Sequence, residues 1–200
     1  MDARPVGVIG AGAMGSGIAQ VAATAGHPVY LVDAMEGAAA RACERIGASL
    51  RQRAAAGKLD PADAESIAGR LHPVAVVGDL PACVVVIEAI VEDLDVKGEL
   101  FAELGRTQPA DTILATNTSS LSIDAIAPAA AHPGRVLGLH FFNPPPAMKL
   151  VEVIRGQVTH PDLLDAAARL VTAWGKVPVR CASTPGFIVN RVARPFYGEA

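Results

Sequence analysis

The stretch Val6-Gly7-Val8-Ile9-Gly10-Ala11-Gly12-Ala13-Met14-Gly15 decides the fold. Its first residues form a short apolar run that reads as a buried strand, and an apolar helical pattern follows over 13–25, ending near Gly26. Between the two, Gly10, Gly12 and Gly15 have the spacing GxGxxG. The pattern alone is weak, but a strand before it and a helix after it are the context it requires. Gly10 allows a tight turn, Gly12 lets the backbone approach a pyrophosphate, and Gly15 lets the helix pack on the strand. Ala11, Ala13 and Met14 complete the turn. The helix N-terminus then offers free N–H groups and the positive end of its dipole to phosphates.

Asp33 closes the next apolar run, Val29–Val32, about 20 residues beyond the glycines, where this fingerprint places an acid. Its carboxylate can accept hydrogen bonds from ribose hydroxyls and repels a 2′-phosphate. Ala34, Met35 and Glu36 bring no arginine, so NAD is expected rather than NADP. A strand-end or N-cap role is the plain alternative for Asp33, and motif and acid together outweigh it. An Ala- and Arg-rich helix follows over 36–56 and stops at Gly57, and Asp60-Pro61 opens another. Apolar runs at 74–77, 84–87, 112–115, 136–141, 150–154 and 177–179 read as strands, with a helix over 161–174. This alternation implies βαβ units and a doubly wound α/β domain whose parallel sheet is covered on both faces.

Thr184-Pro185-Gly186 opens a last helical pattern, and the sequence reaches Ala200 inside it with no cap signal. The expectation is an α/β domain over 1–182, with 183–200 as the first helix of an all-α C-terminal domain that lies outside this chain.

Composition narrows the function. Of 200 residues, 51% are hydrophobic and 4% aromatic, so the core is built from Ala, Val, Leu and Ile. A net charge of −3 gives no general attraction to nucleic acid or to an acidic membrane. Cys43, Cys83 and Cys181 are far apart and form no CxxC, which suits a reduced, cytoplasmic chain, and no metal is expected. The first strand begins too early to leave room for a signal peptide, and the run from Val84 to Ile90 is short and broken by Glu88. His27, His72, His132 and His160 each adjoin Pro or Gly and read as ordinary turn residues.

Four further segments carry a resemblance. Thr116-Asn117-Thr118-Ser119-Ser120-Leu121, Gly138-Leu139-His140-Phe141-Phe142-Asn143-Pro144, Met148-Lys149-Leu150-Val151-Glu152-Val153 and Thr184-Pro185-Gly186-Phe187-Ile188-Val189-Asn190-Arg191 follow one another in order. In order and spacing they resemble the L-3-hydroxyacyl-CoA dehydrogenases. Ile87-Glu88-Ala89-Ile90-Val91-Glu92-Asp93 and Lys97 match as well, so the resemblance covers essentially the whole chain. Arg191-Val192-Ala193-Arg194-Pro195-Phe196-Tyr197 is similar to the branch acting on 3-hydroxyadipyl-CoA in phenylacetate breakdown.

The resemblance implies a Rossmann-type NAD-binding domain and a reversible, NAD-dependent oxidation of an (S)-3-hydroxyacyl-CoA, such as the 3-hydroxybutyryl or 3-hydroxyadipyl thioester. It also implies a homodimer formed through the helical domain. His140, at a strand end beside the ligand crevice, becomes the base; an imidazole suits removal of the hydroxyl proton as hydride leaves carbon. Glu152 becomes the carboxylate that orients it, and a lone acid in an apolar run is costly to bury without a partner. A water-facing edge-strand acid is the alternative. Ser119 is assigned to the substrate oxygen, although Ser119, Ser120 or Ser122 could instead be a helix N-cap. Asn190 is assigned to the substrate carbonyl.

Glu92, Lys97, Ser119 and Asn143 are placed by the resemblance at the nicotinamide end of NAD; without it, Lys97 reads as a solvated helix lysine. For CoA, Ser49 matches the family's serine, and Ala56 stands where a lysine is expected. Arg53 or Lys58, near Arg51, can substitute, with a solvated basic face as the alternative. Two other classes remain: a β-hydroxyacid dehydrogenase acting on a sugar acid with a lysine base, and a non-catalytic dinucleotide-binding module. The His140/Glu152 pair weighs against the first, and the set Ser119, His140, Glu152 and Asn190 against the second.

Overall fold

The computed structural model describes residues 4–198, and the side chains of 4–193. Its elements run β1 (Val6–Ile9), α1 (Ala13–Thr24), β2 (Val29–Val32), α2 (Ala38–Ala55), α3 (Pro61–Ala68) and β3 (Leu71–Pro73). They continue with β4 (Val85–Glu88), α4 (Leu94–Thr107), β5 (Ile113–Thr116), α5 (Ile123–Ile126) and β6 (Val136–Phe141). The last are β7 (Leu150–Arg155), α6 (Pro161–Ala173), β8 (Val177–Ala182) and α7 (Val189–Gly198). Among the described residues the strands form a single sheet in the order β3-β2-β1-β4-β5-β6-β7-β8. The chain winds outward from β1 to β3, returns to β4, and winds outward the other way. The reversal between β1 and β4 opens a crevice at the carboxyl ends of the strands, where doubly wound folds bind ligands.

Five expectations need correction. The sheet is not wholly parallel: β7 runs antiparallel to β6. Only residues 142–149 separate these strands, too few for the crossover that parallel neighbours require. The sheet is also not covered throughout, because every residue of the edge strand β8 keeps some exposure. The strand expected at 74–77 lies earlier, at β3, with Val77–Asp79 a 3-10 turn; Val74 N–H makes the last ladder bond, to Leu31 O at 2.9 Å. The run beyond it is apolar because it lines the crevice. His72 accordingly sits in β3, packed against Tyr30, rather than in a turn. The last helix starts at Val189; residues 184–188 form a turn in which Phe187 takes a φ of 49°.

Side-chain alternation along the strands explains where the polar groups go. Val6, Val8, Val85, Ile87, Leu137, Leu139, Val151 and Val153 join a core with residues of α1, α2, α3 and α6. Ile9, Val86, Leu114, Val136 and Ile154 join a second core with α4 and α5. By the same alternation Glu88, Thr116, His140 and Glu152 lie on this second face. All four are buried. Ile9, Glu88 and Thr116 are neighbours across β1, β4 and β5, and His140 stands directly opposite Glu152.

Candidate active site

The glycine turn is shaped by what it excludes. Gly10 has a φ of 101°, and a Cβ there would stand 2.4 Å from Ala89 O. A Cβ on Gly15 would stand 1.8 Å from Gly10 O, so helix and turn approach only because Gly15 lacks a side chain. Gly12 is the opposite case: it is exposed, and nothing lies within 4 Å of its Cβ position. No side chain caps α1, and its first turn has no acid. These features fit a bound pyrophosphate, with the open backbone at Gly12 and the helix N-terminus facing it.

Asp33 does more than its motif suggests. Its Oδ2 accepts the Ala11 N–H at 2.6 Å and its Oδ1 accepts the Met35 N–H at 2.8 Å. The carboxylate therefore ties the glycine turn to the end of β2 while it lines the crevice. Arg41, further along in sequence, turns back so that its Nη2 donates to Glu36 O at 3.3 Å.

A cavity of about 490 Å³ beside Asp33 is lined by apolar groups including Ile9, Val32, Val76 and Leu100. A second cavity of about 550 Å³ shares Ile90 with it and is lined by Met14, Glu92, Lys97, Ser119, His140, Asn143 and Asn190. The structure thus gathers the expected reactive residues, except the fully buried Glu152, around one space at the end of the crevice.

His140 Nδ1 lies 2.6 Å from Glu152 Oε2. An ionised carboxylate only accepts, so Nδ1 carries the proton and Nε2 is left as the basic nitrogen. Glu152 is wholly buried inside the sheet, which removes the reading of a water-facing edge acid. Its Oε1 accepts the N–H groups of Ile188 and Val189 at 2.9 and 2.8 Å. One carboxylate thus orients the histidine and holds the start of α7, the helix that carries Asn190. Phe142 and Phe187 flank the imidazole, with ring centroids at 4.5 and 5.8 Å. Asn117 Oδ1 accepts the Phe141 N–H at 2.8 Å and fixes the strand end next to His140.

Ser122 caps α5, accepting the Asp124 N–H at 3.2 Å, so Ser119 is not needed for that role. Asn190 Nδ2 donates to Ser119 O at 3.2 Å. Lys97 is not solvated: it is 1% exposed, with Nζ 2.5 Å from Glu88 Oε1 and 3.3 Å from Glu92 Oε2. Burial alone raises the Glu92 carboxyl; the Thr118 hydroxyl, the Lys97 cation and donors from Ser119 and Ser120 outweigh it and hold the group below its usual range.

Sequence reading assigned no role to Glu88, Asn117 or Thr116. Glu88 carried a usable signal, an acid interrupting the apolar run of β4, which is the argument applied to Glu152. Ser49, Arg53 and Lys58 are exposed on α2 and the turn after it, and none lines the cavity around His140. Among the described residues no group of His, Cys, Asp and Glu could hold a metal ion, and no helix is long and apolar enough to cross a membrane.

A doubly wound sheet, an uncapped glycine turn and an acid at the end of β2 define a dinucleotide-binding α/β domain, here with a His–carboxylate pair at the far end of its crevice. The chain belongs to the family described as "3-hydroxyacyl-CoA dehydrogenase, NAD binding domain", whose model matches residues 5–184. It is 52% identical over 200 residues to the 3-hydroxyadipyl-CoA dehydrogenase of Escherichia coli K12, covering all of this chain and 42% of that protein. It is 46% identical to the human mitochondrial hydroxyacyl-coenzyme A dehydrogenase, covering 98% of this chain and 65% of the relative. The crystal structure of 3-hydroxybutyryl-CoA dehydrogenase from E. coli K12 superposes with a TM-score of 0.96 at 51% identity, over all of this chain and 42% of that one. The chain therefore spans between two fifths and two thirds of the length of these relatives.

Proposed function

We propose that this chain carries the NAD site and the acid–base pair of an enzyme that reversibly oxidises (S)-3-hydroxyacyl-CoA to 3-oxoacyl-CoA. One observation carries the reading: His140, held by the buried Glu152 at 2.6 Å, lines a cavity that shares Ile90 with the one beside Asp33. The glycine turn of residues 10–15 and Asp33 hold the dinucleotide, and Glu92, Lys97, Ser119 and Asn143 line its reactive end. Bound NAD supplies the hydride acceptor. His140 Nε2 takes the substrate hydroxyl proton as C3 releases hydride, and a 3-oxoacyl-CoA results. Glu152 keeps the imidazole in one tautomer and stabilises the imidazolium that forms. Ser119 hydrogen-bonds the substrate oxygen, and Asn190 the thioester carbonyl.

Ser49, Arg53 and Lys58 meet the CoA phosphates from the exposed side of α2 and its end. Residues 1–182 form the NAD-binding domain, and 183 onward begins a helical one that completes the acyl site and the homodimer. The similarity to the 3-hydroxyadipyl-CoA enzyme favours a dicarboxylic acyl chain, with 3-hydroxybutyryl-CoA next. Three unpaired thiols suit a reducing compartment such as the cytoplasm. A lysine base acting on a sugar acid is disfavoured, because the lysine lining the cavity is held by two carboxylates.

The test is spectrophotometric. An active enzyme carrying this chain should oxidise NADH with acetoacetyl-CoA and with 3-oxoadipyl-CoA, and should not reduce NAD with free sugar acids, whose hydroxyl carbon would be the hydride donor. Turnover of the free acids alone contradicts the assignment.

A further inference from the structure

Glu88 is wholly buried and does not line the cavity around His140, yet its hydrogen bonds lead to the turn that carries Ser119. One route runs through charge. Glu88 Oε1 holds Lys97 Nζ at 2.5 Å, and Lys97 Nζ lies 3.3 Å from Glu92 Oε2. Glu92 Oε1 in turn accepts the Thr118 hydroxyl at 2.5 Å, the Ser119 N–H at 3.1 Å and the Ser120 hydroxyl at 3.1 Å. The other route is neutral. Glu88 Oε2 accepts the Thr116 hydroxyl at 2.8 Å, and Thr116 Oγ1 accepts the Thr118 N–H at 3.1 Å. Glu88 Oε1 also accepts the Ile90 N–H at 2.7 Å, where the loop bearing Glu92 begins.

Both routes end on the backbone of residues 118–119. From there Ser119 O accepts Asn190 Nδ2, so the geometry of two substrate-facing groups descends from one carboxylate. A buried ion pair whose only effect is on stability is often no better than apolar residues of similar volume. A pair serving stability alone also has no need of a second carboxylate at the cavity wall or of a parallel hydroxyl route to the same turn.

We propose that Glu88 is a positioning residue: it sets Ser119, and through it Asn190, relative to His140, without touching substrate or cofactor. This rests on the function proposed above. It gives the two buried carboxylates of this face separate tasks. Glu152 orients the base, and Glu88 orients the groups that hold the oxygen the base deprotonates.

The test uses an active enzyme carrying this chain, with acetoacetyl-CoA reduction and amide hydrogen exchange at residues 118–121 as readouts. Glu88→Gln should lower kcat on the order of 10²-fold, the effect of a misplacement of about 1 Å, with a much smaller change in the acyl-substrate KM. Because Glu88→Gln leaves Lys97 with one carboxylate fewer and can fail to fold, Thr116→Val is the second variant. It keeps the ion pair, cuts the neutral route, and should lower kcat by less while speeding exchange at Thr118. Thr116→Ser, which restores the hydroxyl, should restore both. Wild-type exchange in a folded Glu88→Gln or Thr116→Val enzyme overturns the proposal, as does faster exchange with unchanged kcat. A wild-type enzyme that turns over no CoA thioester refutes the functional reading instead, and the exchange measurement still decides whether Glu88 holds the turn.

Discussion

At the glycine end of the crevice the turn is tied down within one βαβ unit, where Asp33 reaches back 22 residues to bond Ala11. At the His140 end, segments far apart in the chain must meet: Asn190 bonds Ser119 across 71 residues, and Glu152 holds Val189 across 37. The first arrangement closes through short loops and follows directly from β1 lying beside β2. The second depends on strand register, on the antiparallel insertion of β7, and on a helix whose start hangs on one carboxylate. Ile188, just before that helix, and Val192 on it are 40% and 69% exposed, whereas the glycine turn is backed by the fully buried Val6 and Val8. A site assembled locally is expected to be preformed; one assembled across the sheet is expected to be sensitive to each link.

The largest way to break the comparison is at the base. His140→Gln in an active enzyme should cost about 10²–10⁴ in kcat, the usual share of a general base. NADH affinity should stay nearly unchanged, because the glycine end is built without His140. Steady-state kinetics beside fluorescence titration of NADH would show both.

Glu152→Gln should act twice. Turnover should fall because the imidazole loses its fixed tautomer and its counter-charge. Thermal unfolding should shift downward, since the bonds to the Ile188 and Val189 N–H groups lose their charge and the amide NH2 faces the Nδ1 proton; a buried donor left unmet costs about 1–3 kcal/mol. A variant slowed in turnover with an unshifted Tm would separate the two roles assigned to this residue.

At the other end, Asp33→Ala should weaken NADH binding by releasing the Ala11 and Met35 N–H groups, and should narrow the preference over NADPH. Comparable kcat/KM for NADH and NADPH in the wild type would contradict the role of Asp33.

The smallest effect reads the charge on Glu152 from outside. Burial, and then the Glu152 carboxylate, push the Cys181 thiol up to about 11 from the ordinary 9.0. The folded chain therefore holds that proton more tightly than the unfolded one. The resulting stability is fully present below pH 9 and is lost as pH rises towards 11. Glu152→Gln removes one of the two raising causes, so Cys181 alkylation should begin at lower pH. Cys83, raised to about 12 by burial alone, serves as the internal reference and should not move.

The same contrast governs what was legible in the sequence. The glycine turn, Asp33 and the alternation of strands and helices are local signals, and the turn and the acid lie at the ends of β1 and β2 where they were expected. His140, Glu152, Ser119 and Asn190 were singled out through the resemblance, and only the folded sheet sets His140, Ser119 and Asn190 around one cavity with Glu152 buried against the histidine. Lys97 looked like a solvated helix residue because its partner Glu88 belongs to another element, and nothing in local spacing reveals a buried pair. The apolar run at 74–77 looked like a strand because crevice-lining and strand-forming residues are of the same kind. The direction of β7 was set by the length of a loop, which alternation does not encode.

One measurement bears most directly on this division of the crevice: NADH binding by fluorescence and acetoacetyl-CoA reduction, on a single sample of the 200-residue chain. The account expects saturable NADH binding with little or no turnover, because the glycine turn and Asp33 both lie within residues 6–37 and are tied to each other, while Asn190 follows the exposed Ile188. Full turnover would show that this chain alone builds the substrate side, and absence of NADH binding would show that the glycine end is not preformed; either result contradicts the account.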